Sequence, residues 1–472
     1  MFKNLKITGR RFLGGNRYLY MNMNNNEFIT ETIETRKELD NFLKKLSKED
    51  FNYQQSDESW IKSNQKIYQN YTKNKKETVI NTIKTIFNKL AVGCYVQIRN
   101  NKIMKYVHLT NLEFRNNWVK NGNIVLDKDY IIKRTNLLKK MNLSERRLRD
   151  ELNYEDDDTK WTANGCLIGT WKNPSYKGFK RLYIYHDLIS KALEKLKPKM
   201  INCDFIINRR DFPFVKSDNS HPYDLGNTNK FFEYPPLPVL SSCVSQEFAD
   251  FGMPTRDDWE VGNGNNDRFR DNFKWENKIE KVVWRGNGTN CGTTEKNNQR
   301  LQLHQMGKDN TEYMNVGIIG WNPRDKFDKK TKKLSIIDST KFRQLVNRMG
   351  YNEQFEYKYH LNLDGHVSAF RLGYLLSQNI LILQVESNYG WYLWYQKNLI
   401  PYDIYHKDNP NNKKSHYILV KKDLSNLIEI IKWCRNNDGI VKQIILRATS
   451  YYQFNLKKNN LIERVGTIIK NI

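Results

Sequence analysis

The chain has 472 residues, 39% of them hydrophobic and 13% aromatic, which is enough large side chain for two sizeable cores and excludes wholesale disorder. Its 78 lysines and arginines against 52 acidic residues give a formal charge of +26, a field that favours polyanions, anionic membranes or phosphorylated small molecules. The basic residues are dispersed through a Lys-, Asn- and Ile-rich chain that carries no recognised nucleic-acid-binding module, so the charge reads as composition and not as a dedicated binding stripe.

The opening MFKNLKITGRRFLGGNRYLY lacks the apolar core of a signal peptide, no segment approaches the ~18 apolar residues of a membrane span, and IIKNI is not a retention signal. Cys94, Cys166, Cys203, Cys243, Cys291 and Cys434 form no CxxC pair and have no zinc-like His spacing. Free thiols in a reducing, intracellular setting are therefore expected.

In chain order, residues 1–90 are polar and charged, with a Gly14-Gly15 turn and helical periodicity over 31–48 and 76–90, which predicts a peripheral subdomain. At Cys94 the period shortens: CYVQIR and KIMKYVHL flank Asn100-Asn101, a hairpin that starts the first sheet. Residues 130–152 predict a basic helix with Ser144 as N-cap before Glu145. The run Glu155 to Asp158 offers carboxylates for a cation, although a solvated acidic loop is the simpler reading.

DLISKALEKL predicts a helix that ends at Pro198, and INCDFIIN predicts a short buried strand with Asp211 directly after it. Pro213, Pro222, Pro235, Pro236, Pro238 and Pro254 mark residues 212–275 as long irregular connections. The α/β pattern resumes with the strand KIEKVVWRG, a glycine-rich loop and a helix over 297–306. It continues with the turn LDGHVSAFR, a helix to about 378, the strand ILILQV, and helices over 423–437 and 440–456.

Three segments carry candidate chemistry. In LNLDGHVSAFR, Gly365 opens a turn, Ser368 can cap the helix that follows, and the helix N-terminus with Arg371 favours a phosphate. In VVWRGNGTNCGTTEKNNQR, Gly286, Gly288 and Gly292 permit close backbone approach at a strand end, Arg300 follows on a helix, and the P-loop spacing is absent. In NRRDFP, Asp211 is either a general base for an acceptor hydroxyl or the partner of Arg209 or Arg210 in an ion pair. The eight histidines show no metal-ligand spacing, and only His366 lies in a candidate segment. Trp391, Trp394 and Tyr395 are able to stack on a base or sugar, with core packing the simpler reading.

The stretch from YKYHLNLDGHVSAFR through Trp394-Tyr395, HYILVKKDLSNL and NNDGIV resembles glycosyltransferase family 90, which includes capsule-associated xylosyltransferases and protein O-glucosyltransferases. WRGNGTN with the later Arg300 is similar to the family's aromatic-Arg-Gly-Ser loop and its following arginine, and NRRDFP to its Asp-aromatic-Pro motif. FGMPTRDDW is similar to a Pro-containing segment between those two, which extends the resemblance over roughly residues 200–455. The resemblance implies an α/β fold of GT-B type, with two Rossmann-like domains facing a central cleft and an extra N-terminal subdomain. The corresponding division is a peripheral piece over 1–90, an acceptor-side domain over 91–270, a donor-binding domain over 271–440, and helices over 441–472 that pack back on the acceptor side.

The same resemblance implies an inverting, metal-independent transfer, without a cofactor, from a UDP-sugar to a hydroxyl of a glycan or protein, with glucose or xylose as the sugar. It assigns Asp211 as the base, and Arg285, Gly286, Asn287, Arg300, His366, Val367, Ser368, Ala369, Phe370 and Arg371 as donor-binding residues. Asn287 stands where relatives have Ser, and His366 and Val367 replace smaller residues. The leaderless, Lys/Asn/Ile-rich form looks like members encoded by large DNA viruses. That implies a cytoplasmic location, the host cytoplasm or a viral factory, and no transmembrane segment. Two alternatives stand beside this reading: a basic nucleic-acid-binding protein, whose affinity would be salt-sensitive and independent of Asp211, and a catalytically inactive glycan-binding relative of the same fold.

Overall fold

The computed structural model describes residues 19–23, 26–51, 66–68, 75–111, 128–141, 159–161, 167–169, 177–222, 229–262, 271–322, 325–327, 334–388 and 390–472. The chain is a mixed α/β protein built on two large sheets. The first holds β1 (Leu19–Met23), β2 (Asn26–Ile33), β3 (Val92–Arg99), β4 (Lys102–Thr110), β5 (Cys203–Ile207), β6 (Val239–Ser241) and β7 (Phe251–Gly252), in the order β1-β2-β4-β3-β5-β6-β7. Asn100 and Asn101 both take left-handed backbone, φ 51° and 59°, as a two-residue turn between twisted strands requires. That turn makes β3 and β4 antiparallel, and β3 also pairs antiparallel with β5, whereas β6 pairs parallel with β5 and β7. The first half is thus a mixed sheet that opens on the expected hairpin, since a tight turn joins only antiparallel neighbours.

The helical period over 31–48 resolves into the end of β2 and helix α1 (Arg36–Leu46). Thr35 stops the strand and caps the helix: its Oγ1 accepts from the Glu38 N–H at 3.3 Å, and the Glu38 carboxylate accepts from the Thr35 N–H at 3.1 Å. The basic helix expected over 130–152 is described as α2 (Lys128–Lys140); Ser144 and Glu155 to Asp158 lie outside the described residues. Helix α3 (Lys177–Leu196) leads into β5.

The second sheet is parallel throughout: β8 (Ile279–Gly288), β9 (Met314–Trp321), β10 (Tyr357–Asn362), β11 (Leu381–Val385), β12 (Pro401–Tyr402) and β13 (Tyr417–Val420), in the order β9-β8-β10-β11-β13-β12. From β8 the chain goes to one neighbour through α4 (Gln299–Asp309), then crosses to the other. The C-terminal ends of β8 and β10 therefore flank a topological switch point, where open parallel sheets leave a crevice. Val282, Trp284, Tyr359, Leu361 and Leu383 are buried in these strands, which have apolar cover on both faces and read as continuous apolar runs.

The helix expected to follow the LDGHVSAFR turn is a single short turn of helix, α5 (Leu372–Leu376), with Arg371 at its N-cap position. Ser368 is no cap; its hydroxyl meets Cys243 Sγ at 3.2 Å. The chain ends in α6 (Asp438–Asn455) and α7 (Lys458–Asn471). Helix α7 packs against α3, and Leu461, Val465 and Ile468 share a buried cluster with Leu188 and Ala192.

Among the described residues no helix is long and apolar enough to cross a membrane. Cys94, Cys203, Cys243 and Cys434 are free and buried, and burial pushes the Cys243 thiol up to about 12. Cys291 is disulfide-bonded, which corrects the expectation of a free thiol at that position. Disulfide pairing follows spatial proximity, which sequence spacing does not reveal, and the cysteines no longer argue for a reducing setting.

Candidate active site

At the end of β5, Asn208 folds the chain back on itself. Its amide donates to the Phe212 carbonyl at 2.7 Å and to Ser241 Oγ at 2.9 Å, while its oxygen accepts from the Arg210 N–H at 2.8 Å. Asp250 secures the next residues: its buried carboxylate accepts from the N–H groups of Phe214 at 3.1 Å and Val215 at 2.7 Å, and from the Ser241 hydroxyl. Asp211 stands exposed at the tip of the turn so fixed. Arg209 donates to Thr110 Oγ1 at 2.7 Å, and Arg210 to the Leu90 carbonyl.

On the second sheet, Arg300 ties the two switch-point loops together. Its Nε donates to the Asp364 carbonyl at 2.7 Å, Nη1 to that of Asn287 at 2.9 Å and Nη2 to that of Leu363 at 3.1 Å, and its guanidinium lies 5.2 Å from the Trp284 ring centroid. Gly286 is required here, since a Cβ would come within 2.5 Å of the Trp284 ring. Within the second loop, Asp364 accepts from the Ala369 N–H at 3.0 Å, and burial pushes its carboxyl up to about 6.

These segments enclose one cavity of about 750 Å³, within the usual size of small-molecule sites. Asp211, Arg285, Gly286, Asn287, Arg300, Val367, Ser368, Ala369, Phe370 and Arg371 all line it. His366 does not: Lys326 Nζ donates to its Nε2 at 2.7 Å and to the Asn290 carbonyl at 2.7 Å, so it braces the loop from behind. The proposed helix-terminus phosphate site also needs correction, because the five-residue α5 has too few aligned peptides to supply a useful dipole. Trp391 and Tyr395 are buried in the first core, and neither they nor Trp394 line the cavity.

Sequence reasoning missed several lining residues, among them Arg348, Tyr351 and Tyr374; the two tyrosine rings meet edge to face at 5.1 Å. Arg348 and Tyr351 come from a stretch without regular periodicity, which offers no local signal, while Tyr374 falls within the helix expected to about residue 378.

A family profile for glycosyl transferase family 90 matches residues 177–471, more than half of the chain. The chain belongs to glycosyltransferase family 90. Among relatives of this family 90 chain, protein 035R of Invertebrate iridescent virus 3 is 30% identical over 414 residues, 81% of this chain and 35% of that protein. Protein O-glucosyltransferase 3 of Homo sapiens is 31% identical over 279 residues, 57% of this chain and 45% of that protein. Protein O-glucosyltransferase 2 of Danio rerio is 28% identical over 282 residues, 58% of this chain and 47% of that protein. The chain spans less than half the length of each of these relatives.

Proposed function

We propose that this chain is an inverting glycosyltransferase of GT-B type that moves a sugar from a UDP-sugar to a hydroxyl of a glycan or protein, with no metal in the chemical step. The observation that carries this reading is the shared cavity: a carboxylate from the end of one sheet, Asp211, and a guanidinium from the end of the other, Arg371, both line it. In a single displacement, Asp211 takes the proton of the acceptor hydroxyl as its oxygen bonds to the anomeric carbon. The bond from that carbon to the diphosphate breaks, and its electron pair leaves on a phosphate oxygen. The cavity's guanidinium groups supply the positive charge that offsets the departing diphosphate.

In this reading residues 91–270 form the acceptor side, 271–440 the donor side, and 441–472 return to the acceptor side; one buried cluster surrounds each sheet, but Leu137, Leu138 and Met141 pack in the second cluster and Leu372, Tyr374 and Leu375 in the first, so the two cores interleave along the chain. The protein O-glucosyltransferases among the relatives favour UDP-glucose; UDP-xylose stands second, on the resemblance to capsule-associated xylosyltransferases alone. The viral relatives favour action in the host cytoplasm or a viral factory, which immunofluorescence against compartment markers tests.

The deciding experiment measures UDP release from a panel of UDP-sugars, with and without chelator, for the wild type and Asp211→Asn. The expected result is turnover that withstands chelation and falls about 10²- to 10⁴-fold in the variant. Full turnover in Asp211→Asn removes the mechanism, and loss on chelation moves the enzyme to a metal-using class.

A further inference from the structure

The guanidinium groups that line the cavity differ in what already holds them. Arg300 bonds three main-chain carbonyls. Arg285 donates to the carbonyls of Asn347 at 2.9 Å, Trp284 at 3.1 Å and Asn315 at 2.7 Å, and to Asn315 Oδ1 at 2.7 Å. Arg256 pairs with Glu260, four residues on. Arg348 is different: it is exposed at the cavity wall and makes no hydrogen bond or ion pair with any described residue.

Its backbone is nonetheless fixed. The Val346 N–H donates to the Ile318 carbonyl of β9 at 2.9 Å, and a Cβ on Gly317 would meet the Val346 methyls at 2.6 Å, so the loop lies flush on the strand. On the Arg348 side of that contact, the Asn347 carbonyl is held by Arg285 Nε. The main-chain oxygen of the same Arg285 accepts from Arg371 Nη2 at 3.1 Å, the single side-chain hydrogen bond of Arg371 among the described residues. One buried arginine thus orders two others, through its side chain and through its backbone, and leaves most of their N–H groups available to a ligand.

We propose that Arg348 is a phosphate-binding residue that, together with Arg371, takes the diphosphate of a nucleoside diphosphate sugar, and that Arg285 acts as the positioning residue for both. This rests on the UDP-sugar reading above and deepens it. A diphosphate presents several acceptor oxygens and at least two negative charges, more than one five-donor fork satisfies. The loop that carries Arg348 joins β9 to β10, so its arginine arrives beside the switch point where parallel sheets bind phosphates.

The test is calorimetric titration of the full chain, wild type, Arg348→Gln and Arg348→Lys, with UDP, uridine and inorganic pyrophosphate. Arg348→Gln is expected to weaken UDP and pyrophosphate by about 10- to 100-fold, the range for a charge-assisted hydrogen bond, and to leave uridine and the melting temperature unchanged. Arg348→Lys recovers part of the loss. A change in UDP affinity of less than about threefold, or an equal proportional loss for uridine, overturns the proposal, the second because it marks a displaced loop. Wild-type binding of UDP that ignores Arg348 sinks this inference alone. Pyrophosphate binding that needs Arg348, in a protein that does not recognise UDP, sinks the UDP-sugar reading alone. Binding of neither sinks both.

Discussion

The guanidinium of Arg371 is aimed by the main-chain carbonyl of Arg285, 3.1 Å from its Nη2, so the end of β8 fixes the arginine of the loop after β10. His366, five residues earlier in the same loop, faces Lys326 instead and lies outside the cavity lining. Arg371→Ala is accordingly expected to weaken UDP about 10- to 100-fold, and His366→Ala to change it by less than about threefold. Comparable losses in titrations of the two variants would mean that the loop acts as a unit and that the distinction drawn from lining is wrong.

Arg300 answers to a different measurement, because its buried N–H groups satisfy the Asp364 and Leu363 carbonyls and share that of Asn287 with the Thr289 N–H. A lysine keeps the charge and loses the planar fork. Arg300→Lys is therefore expected to lower unfolding free energy by about 2–4 kcal/mol, from the carbonyls left unpaired in a buried site. Denaturant titration reads this directly; a variant as stable as the wild type would return Arg300 to a ligand-binding role only.

Patterns confined to a few neighbouring residues were legible in the sequence. Asn100-Asn101 announced the hairpin, INCDFIIN the buried strand before Asp211, and VVWRG the strand that ends in glycines. What escaped depends on partners far along the chain. Arg300 reaches carbonyls up to 64 residues away and Arg285 one 62 residues away, and main-chain carbonyls carry no sequence identity to read. The mixed order of the first sheet escaped for a related reason: the hairpin was visible, but the antiparallel pairing of β3 with β5, more than 100 residues apart, was not. The length of α5 was overestimated because Val367 and Phe370 continue an apolar spacing that serves the loop's packing and not a helix.

Asp250 holds the Asp211 turn without touching the cavity, through Phe214, Val215 and Ser241. Asn at this position retains one acceptor and turns an N–H toward donors that need an oxygen. Asp250→Asn is expected to cost about 1–3 kcal/mol in stability and to lower kcat about tenfold or more by tilting the turn, while UDP affinity stays at the wild-type value. Parallel losses of kcat and UDP affinity would mean general unfolding in place of a displaced base.

Buried carboxyls also set a direction for pH dependence. Burial pushes Asp258 up to about 7, against the Thr255 main-chain and side-chain hydrogen bonds that favour its charge. An aspartate in the unfolded chain titrates near ~3.9, so between that value and about 7 the folded form holds a proton that the unfolded form has lost. Stability from this group therefore falls as pH rises across the window and levels off above it, by at most about 1.4 kcal/mol per pH unit. His108, pushed by burial down to about 3, and His186, down to about 4, work in the opposite sense below pH ~6.5. The wild-type profile is thus a sum of opposing parts, and a difference isolates the aspartate. Asp258→Asn does not titrate, so its stability relative to the wild type should improve from pH 5 to about pH 7 and level off toward pH 8 in denaturant midpoints taken at matched ionic strength. A constant offset across that range would place the Asp258 proton elsewhere.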